Sequence, residues 1–572
     1  MSLKGNITNY YKTILGEDPL YDLMDGIDLS IKRVLPKTDR GKKMHELFHE
    51  IYEKIIQSPP VDANILILAL RNKLILFKAE IDKKYHYYLD EKIKQCELLV
   101  AYQLGLWMDC NSDEQIYAKG NTIKLNTRII ARNNSLIKIK SFKIVYGEKN
   151  LIDSTMNKTL EKNSVLQFSN SFVLNDIDVT QPYWLQEEIK QDMFALTQQS
   201  LREPWKNHPL HCIFALEINK EDVEYNPSYG EIYQPLEIAP EVTINSIEDL
   251  IIFNAQKTKK IKVTAKAFAN NINKTVQIML PAGWQCKPSE LKIAIDKKGE
   301  EKEYEITITA PQTKQSVQNE LLRFVTEGKR VMSYKKINYE HISLITYFPD
   351  AKINLVNTQI KTSNIKIAYI AGPGDKVPAI LKQLGYAVDI LNEQNFYQSD
   401  LKQYESIITG VRSYNTEKWL ATAQAKLMDY VYAGGNLLQQ YNTSMNLVTD
   451  KLGPYPFKLL RERVTEEDAK VEFINAKHIL LHSPNSITQE DFSGWVQERG
   501  LYFTSDADSN YEKLFAMNDE GEKKNDGSVL YCQYGKGKYI YTSLSFFRQL
   551  PAGNTGAIKL FVNFIEKNYA AK

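Results

Sequence analysis

The chain is 572 residues long, room for three or four domains at about 150 residues each. Its 72 basic side chains face 70 acidic ones, a net charge of +2, which argues against nucleic acid or an anionic membrane as the main partner. The five cysteines (Cys96, Cys110, Cys212, Cys286, Cys532) form no C-x-x-C pair and no even set, so they read as buried thiols.

The opening, MSLKGNITNYYKTIL, lacks a basic stretch followed by an apolar core. The expectation is a cytoplasmic location for the chain as it stands, with an exported longer parent as the alternative. The longest apolar run, ILILALRNKLILF from Ile65, is broken by Arg71, Asn72 and Lys73, so no membrane span is expected.

Residues 1–105 read as a helical linker or small bundle. MHELFHEIYEKIIQ sets Leu47, Ile51, Ile55 and Ile56 on one face, and Pro59 and Pro60 part it from DANILILALRNKLILFKAEID. YYLDEKIKQCELLVAYQLGLWM makes a third helix. Within the first, His45-Glu46-Leu47-Phe48-His49 matches H-E-x-x-H, which on a helix offers a zinc ion two imidazoles and a general-base carboxylate. Zinc needs a third ligand. The long form of the motif does not follow, and Glu80 would serve only by folding back. His45 and His49 are therefore expected to face solvent, with no metal held.

From 106 the pattern becomes period two. NTIKLNTRIIARNN, KIKSFKIVYGE, SVLQFSNSFVL and HCIFALEIN alternate apolar and polar, an antiparallel β-sandwich over 106–245. Tyr183 and Trp184 in VTQPYWLQEE offer either a sugar-stacking surface or a plug over the sandwich end. His208 and His211 are spaced for one metal but have no carboxylates beside them, and read as structural. A second, Ig-like antiparallel sandwich is expected over 246–355, from KKIKVTAKAFAN, KTVQIMLPAGWQC, SELKIAIDKKG and KEYEITITAP, with turns at PAGW and DKKG. Such modules are commonly spacers or binding domains.

Residues 360–572 read as a doubly wound α/β domain. Ile365 to Ile370 is a strand buried on both faces, GPGD turns the chain, and Asp375 can cap a helix that tolerates Pro378 in its first turn. Val377, Ile380, Leu381 and Leu384 form that helix's stripe, Gly385 ends it, and AVDIL begins the next strand. YESIITGV is a third strand. EKWLATAQAKLMDYVYAGG is a helix with Leu420, Ala423, Leu427 and Val431 inward, stopped at Gly434. NLLQQYNTS is a fourth strand, SVLYCQYGKGKYIYTSL a hairpin, and GAIKLFVNFIEKN a last helix with Ile558, Phe561 and Ile565 on one stripe.

Long stretches of the chain resemble a known family. EKWLATAQAKLMDYVYAGGNLLQQYNTS, LVTDKLGPYPFKL, RVTEEDA, FSGWVQERGLYF and GKGKYIYTSLSFFRQLPAG resemble the C-terminal half of large bacterial de-N-acetylases of the PIG-L/LmbE type. GEDPLYDLMDGIDLSIKRV resembles the segment after their catalytic domain. LGLWMDCNSDEQIYAKGNTIKLNTRIIARN and YGEIYQPLEIAPEVTI resemble the two ends of their first sandwich. In that family a zinc-dependent sugar de-N-acetylase domain is followed by sandwich modules and a flavodoxin-like α/β domain resembling class I glutamine amidotransferases. The family binds zinc through an A-H-P-D-D stretch and a later histidine. This chain has no HPDD, and its His-Pro pair is His208-Pro209. The resemblance thus implies an accessory region without its catalytic domain, with no cofactor of its own, working with a de-N-acetylase domain upstream or in trans.

Amidotransferases carry a Cys on the turn after a central strand and a His after a late one. Here the first turn reads Gln440-Tyr441-Asn442 and the late stretch Ser543 to Arg548. Cys532 falls within a strand, and His478 and His482 in an intervening segment, so no catalytic residue is assigned. Open α/β sheets still bind ligands outside the carboxyl ends of their strands. The loops expected there supply Gly372, Asp375, Arg412, Tyr414, Asn415, Gln440, Tyr441, Asn442 and Arg548 as candidate ligand-binding residues, a mixture suited to a sugar. Alternatively, these groups satisfy one another and pin the loops. The expected function is non-catalytic glycan or partner binding. The competing expectation is a hydrolase acting at an unrecognised site, in this cleft or at HELFH.

Overall fold

The computed structural model describes residues 39–133, 136–146, 149–173, 178–187, 210–225, 236–312, 316–342 and 344–567, with a few isolated positions besides. The chain is multidomain and rich in β-structure, and it divides into two compact units: residues 1–177 with 205–237, and residues 178–204 with 238–572.

The first unit opens with three helices, α1 (Asp39–Gln57), α2 (Pro60–Lys78) and α3 (His86–Leu104). Pro60 opens α2, where a missing N–H costs nothing, and Gly105 ends α3 with φ +57°, which favours glycine. The stripe expected on α1 is corrected in one place. Ile51 is buried and Phe48 lies beside it, but Ile56 is 60% exposed. At about 100° per residue, Ile56 points roughly 140° away from Ile51.

The β-sandwich that follows has a three-stranded sheet, Trp107–Ser112, Thr122–Ile130 and Leu166–Val173. Its second sheet is four-stranded, in the order Lys149–Thr159, Ile137–Tyr146, Leu210–Ile218, Glu221–Tyr225. Every pairing in the two sheets is antiparallel. Alternate residues (Ile123, Leu125, Ile129; Ile137, Ile139; Phe214, Leu216, Ile218) fill the core, as period-two patterning requires.

In the second unit the second sandwich departs from the antiparallel expectation. Leu250–Phe253 runs parallel to Lys352–Asn357, and the strands extend from Val242 to Asn357, past both expected limits. Leu250–Phe253 is buried on both faces, so it shows no alternation. Its partner lies at the far end of the module, because parallel neighbours need a long crossover.

The rest of this unit is built on a sheet of six main strands: β1 (Lys366–Ile370), β2 (Ala387–Leu391), β3 (Ser406–Thr409), β4 (Asn436–Gln440), β5 (Val529–Tyr534) and β6 (Gly537–Thr542). Their order is β2-β1-β3-β4-β6-β5. The first five are parallel and β5 returns antiparallel. Helices α4 (Val377–Gln383), α5 (Glu393–Gln398), α6 (Ser413–Thr416), α7 (Leu420–Tyr432), α8 (Phe546–Ala552) and α9 (Thr555–Ile565) flank it. Successive residues of β1 serve two cores. Ile367 and Tyr369 pack with α4, α8 and α9, and Ala368 and Ile370 with α5 and α7. The stripes expected on α4 and α7 are buried throughout. On α9 burial is nearly all round, with every residue from Gly556 to Ile565 except Lys559 buried. The segment 441–528 supplies the outer cover, through turns Ile479–Leu481 and Gln489–Phe492.

The sandwich and the parallel sheet share a core. Leu250, Ile252 and Val356 belong to the same buried cluster as α4 and α8. Gln383 at the end of α4 donates to Leu250 O (3.0 Å) and accepts from Ile252 N (2.7 Å). Among the described residues no helix is long and apolar enough to cross a membrane.

Candidate functional site

The carboxyl ends of β1, β3, β4 and β6 converge, and their loops interlock. At Gly372 a Cβ would collide with the Val411 carbonyl oxygen, so this position has room only for glycine. Asp375 accepts from Val377 N (3.1 Å), pinning the start of α4, and from the Tyr369 hydroxyl (2.5 Å). Burial, with the Asp375 carboxylate alongside, pushes the Tyr369 phenol well up, so it stays a neutral donor. Gln440 donates to Tyr369 Oη (3.0 Å).

Asn442 is fully buried. Its Oδ1 accepts from Tyr414 N (2.9 Å) and its Nδ2 donates to Gln440 O (3.1 Å). Tyr414 is also fully buried, with its hydroxyl donated to Gln424, so its ring lies beneath the surface and not on it. Asn415 joins the β3 and β4 exits, accepting from Thr443 N (2.9 Å) and donating to Thr443 O (3.1 Å). Gly372, Asp375, Tyr414, Asn415, Gln440 and Asn442 thus form a frame. Within it Thr409 Oγ1, Ser413 Oγ and Gln440 Oε1 are buried polar atoms with no partner.

Above the frame, the structure brings Arg412 and Arg548 to one rim, over the half-buried rings of Tyr502 and Phe547. Tyr441, expected there as a binding ring, is itself buried beneath them, because Tyr502 and Phe547 cover it. Arg412 is exposed and donates its N–H to Tyr441 O (2.8 Å). The Tyr441 ring lies parallel to Tyr502 (centroids 6.2 Å apart, 6° between planes) and 5.3 Å from Phe547. Arg548 donates to Glu498 (2.8 Å) and to Gln497, with its guanidinium 4.8 Å from the Phe547 ring centroid. Burial raises the Tyr441 phenol, and Arg412 and Arg548 oppose that shift. Three non-glycine residues here have left-handed backbone: Arg412 (φ +56°), Gln497 (φ +69°) and Tyr502 (φ +55°). For residues of this size that conformation is strained, and strain of this kind gathers at functional sites.

Tyr502, Glu498 and Phe547 were missed as site residues in the sequence. Tyr502 and Glu498 arrive from the segment 441–528, where Leu501 N donates to Ser543 O (3.0 Å) and Ser545 N to Arg499 O (3.1 Å), laying Arg499–Leu501 along the exit of β6. The aromatic density of RGLYF was the available signal; its position in space was not.

Other candidates lie away from this rim. His49 and Glu46 are exposed, whereas His45 is half-buried with its Nδ1 unpaired, contrary to the solvent-facing expectation for that ring. Among the described residues no group of three His, Cys, Asp or Glu is placed to hold a metal. His208 lies outside the described residues, and His211 is half-buried on a strand opposite Val145. Tyr183 and Trp184 meet edge to face at 4.9 Å. Cys532 is buried in β5, its thiol pushed up to about 12 by burial. His478 caps the turn Ile479–Leu481, accepting from Leu480 N (3.2 Å).

No family model matches the chain, and no curated protein matches it. Among solved structures, a β-galactosidase from Rahnella sp. R3 aligns at 16% identity and a TM-score of 0.23, over 35% of this chain and 31% of that one. A β-galactosidase from the haloarchaeon Halorubrum lacusprofundi aligns at 15% identity and 0.22, over 35% and 30%. The fibronectin(III)-like modules of Clostridium thermocellum CbhA align at 6% and 0.13, over 44% and 93%. The chain spans under a third of the length of these β-galactosidases. Likenesses at these scores decide neither fold nor activity.

Proposed function

We propose that this chain is a non-catalytic accessory region of the PIG-L/LmbE de-N-acetylase type, binding a glycan or similar neutral polar ligand at the rim of its C-terminal domain. The observation that carries the reading is the rim itself: two arginines beside the half-buried rings of Tyr502 and Phe547, which pack on the buried Tyr441, on strained backbone, at the carboxyl ends of a parallel sheet. Aromatic faces suit the apolar side of a sugar ring, and guanidinium forks orient hydroxyls and carbonyls. The parallel order, 2-1-3-4-5 when those strands alone are counted, supports a flavodoxin-like, amidotransferase-like domain. At the turn after β4, Gln440, Tyr441 and Asn442 can donate and accept hydrogen bonds but supply no nucleophile activated by a base. The partner in this reading is a de-N-acetylase catalytic domain, joined upstream or acting in trans.

Two or three exposed hydrogen bonds of about 1 kcal/mol each, with one stacked ring, amount to binding in the high micromolar range or weaker. Titration of the intact chain with N-acetylated oligosaccharides, by calorimetry or NMR, tests this. Binding is expected, and Arg412→Ala and Tyr502→Ala are each expected to weaken it at least several-fold. No binding, or binding indifferent to both substitutions, removes the glycan reading. Zinc-dependent release of acetate by the purified chain would favour the hydrolase instead.

A further inference from the structure

Two cysteines far apart in sequence meet inside the first sandwich. Cys110 lies on the strand Trp107–Ser112 of the three-stranded sheet, opposite Thr127. Cys212 lies on Leu210–Ile218 of the four-stranded sheet, opposite Ile144. Their sulfurs are 2.9 Å apart, with the Cys212 thiol donating to Cys110, and Thr127 Oγ1 stands 3.4 Å from Cys110 Sγ. Both residues are only partly buried. Strands of two different sheets thus present two thiols to each other in direct contact, with partial access from outside.

We propose that Cys110 and Cys212 are an oxidisable dithiol that closes into an inter-sheet disulfide when the protein meets a disulfide oxidant such as oxidised glutathione or an oxidised dithiol protein. Cys110 is the attacking group. The hydrogen bond from Cys212 holds its thiol below the usual range, against the opposing effect of burial. Its thiolate attacks one sulfur of the oxidant, the oxidant's S–S bond breaks, and one thiolate leaves as a mixed disulfide forms. Cys212 then gives its proton to water, attacks Cys110 Sγ, and expels the second thiolate. Two protein thiols have lost two electrons and two protons, and the oxidant has become two thiols. The other cysteines are poor competitors: burial pushes the Cys96 and Cys286 thiols up to about 11 and that of Cys532 up to about 12.

The test uses the intact chain, incubated under native conditions with oxidised glutathione and then alkylated in denaturant. Free thiols are expected to fall from five to three, and unreduced peptide mapping is expected to yield one cross-linked pair containing Cys110 and Cys212. Because the bridge closes a long loop, the melting temperature is expected to rise by roughly 5–15 °C and to fall back on reduction. Cys110→Ser and Cys212→Ser should each lose the cross-link and the shift, and Cys286→Ser should keep both. Retention of five thiols, or glutathione left on Cys110 as a stable mixed disulfide, overturns the proposal. Should a serine variant fail to fold, the peptide map of the unsubstituted chain decides alone.

Discussion

At the scale of single residues, the strand-end site separates side chains that build the frame from those that face outward. Asn442 answers a buried N–H of Tyr414 and the carbonyl of Gln440. Asn442→Ala leaves both unpaired and is expected to destabilise the protein by about 2–4 kcal/mol, read as a lower urea midpoint. It is therefore a poor probe of binding, whereas Arg412 is exposed and makes its contact to Tyr441 through its main chain. Arg548 lies between these cases. Its partner Glu498 is almost fully buried, so Arg548→Ala strands a carboxylate and should cost about 1–3 kcal/mol as well as any binding. His478 provides a pH dependence. Burial holds its imidazole below the usual histidine range, with Glu512 opposing and Lys538 adding to the effect. The unfolded chain then takes up a proton near pH 6.5, before the folded one does. The stability this group contributes is present above that pH and lost as pH falls through the folded value. His478→Asn, which keeps a capping acceptor for Leu480 N, should flatten the fall in urea midpoint between pH 7.5 and 5; an unchanged pH profile would count against it.

At the scale of elements, burial follows what each helix is packed against. On α9 the sheet covers one face and the turns of 441–528 another, and Asn563 is satisfied by donating to Leu480 O (2.8 Å) and Asn485 O (2.7 Å). Phe561 sits in the shared core of this unit, so Phe561→Ala is expected to cost about 3–5 kcal/mol. Ile56, at the far end of α1, is expected to tolerate Ser within about 0.5 kcal/mol. Thermal melts of the two variants make the comparison, and similar losses would mean that the α1 surface is covered.

At the scale of the whole molecule, the second sandwich and the parallel sheet behave as one unit because Leu250, Ile252 and Val356 sit in the core of α4 and α8. Each such side chain is worth about 1.5–3 kcal/mol when buried. A fragment covering 238–572 is expected to melt cooperatively. A fragment starting at 360, the boundary suggested by the sequence pattern, should melt several degrees lower or fail to fold. Circular dichroism of both fragments measures this, and equal melting temperatures would show the parallel-sheet domain to be independent.

What the sequence by itself determined is local. Period-two runs marked eight of the sandwich strands, and the stripes Val377–Leu384 and Leu420–Val431 marked α4 and α7, because side-chain periodicity reports which face of an element meets the core. Glycines marked helix ends: Gly385 and Gly434 do take positive φ. Only the tertiary structure decided the rest. The parallel pairing of Leu250–Phe253 with Lys352–Asn357, the burial of Tyr414, the meeting of Cys110 with Cys212, and the placing of Tyr502 and Glu498 beside Arg412 and Arg548 all join residues distant in sequence. No periodicity encodes such pairs. They depend on which surfaces exclude water together once the whole chain has folded.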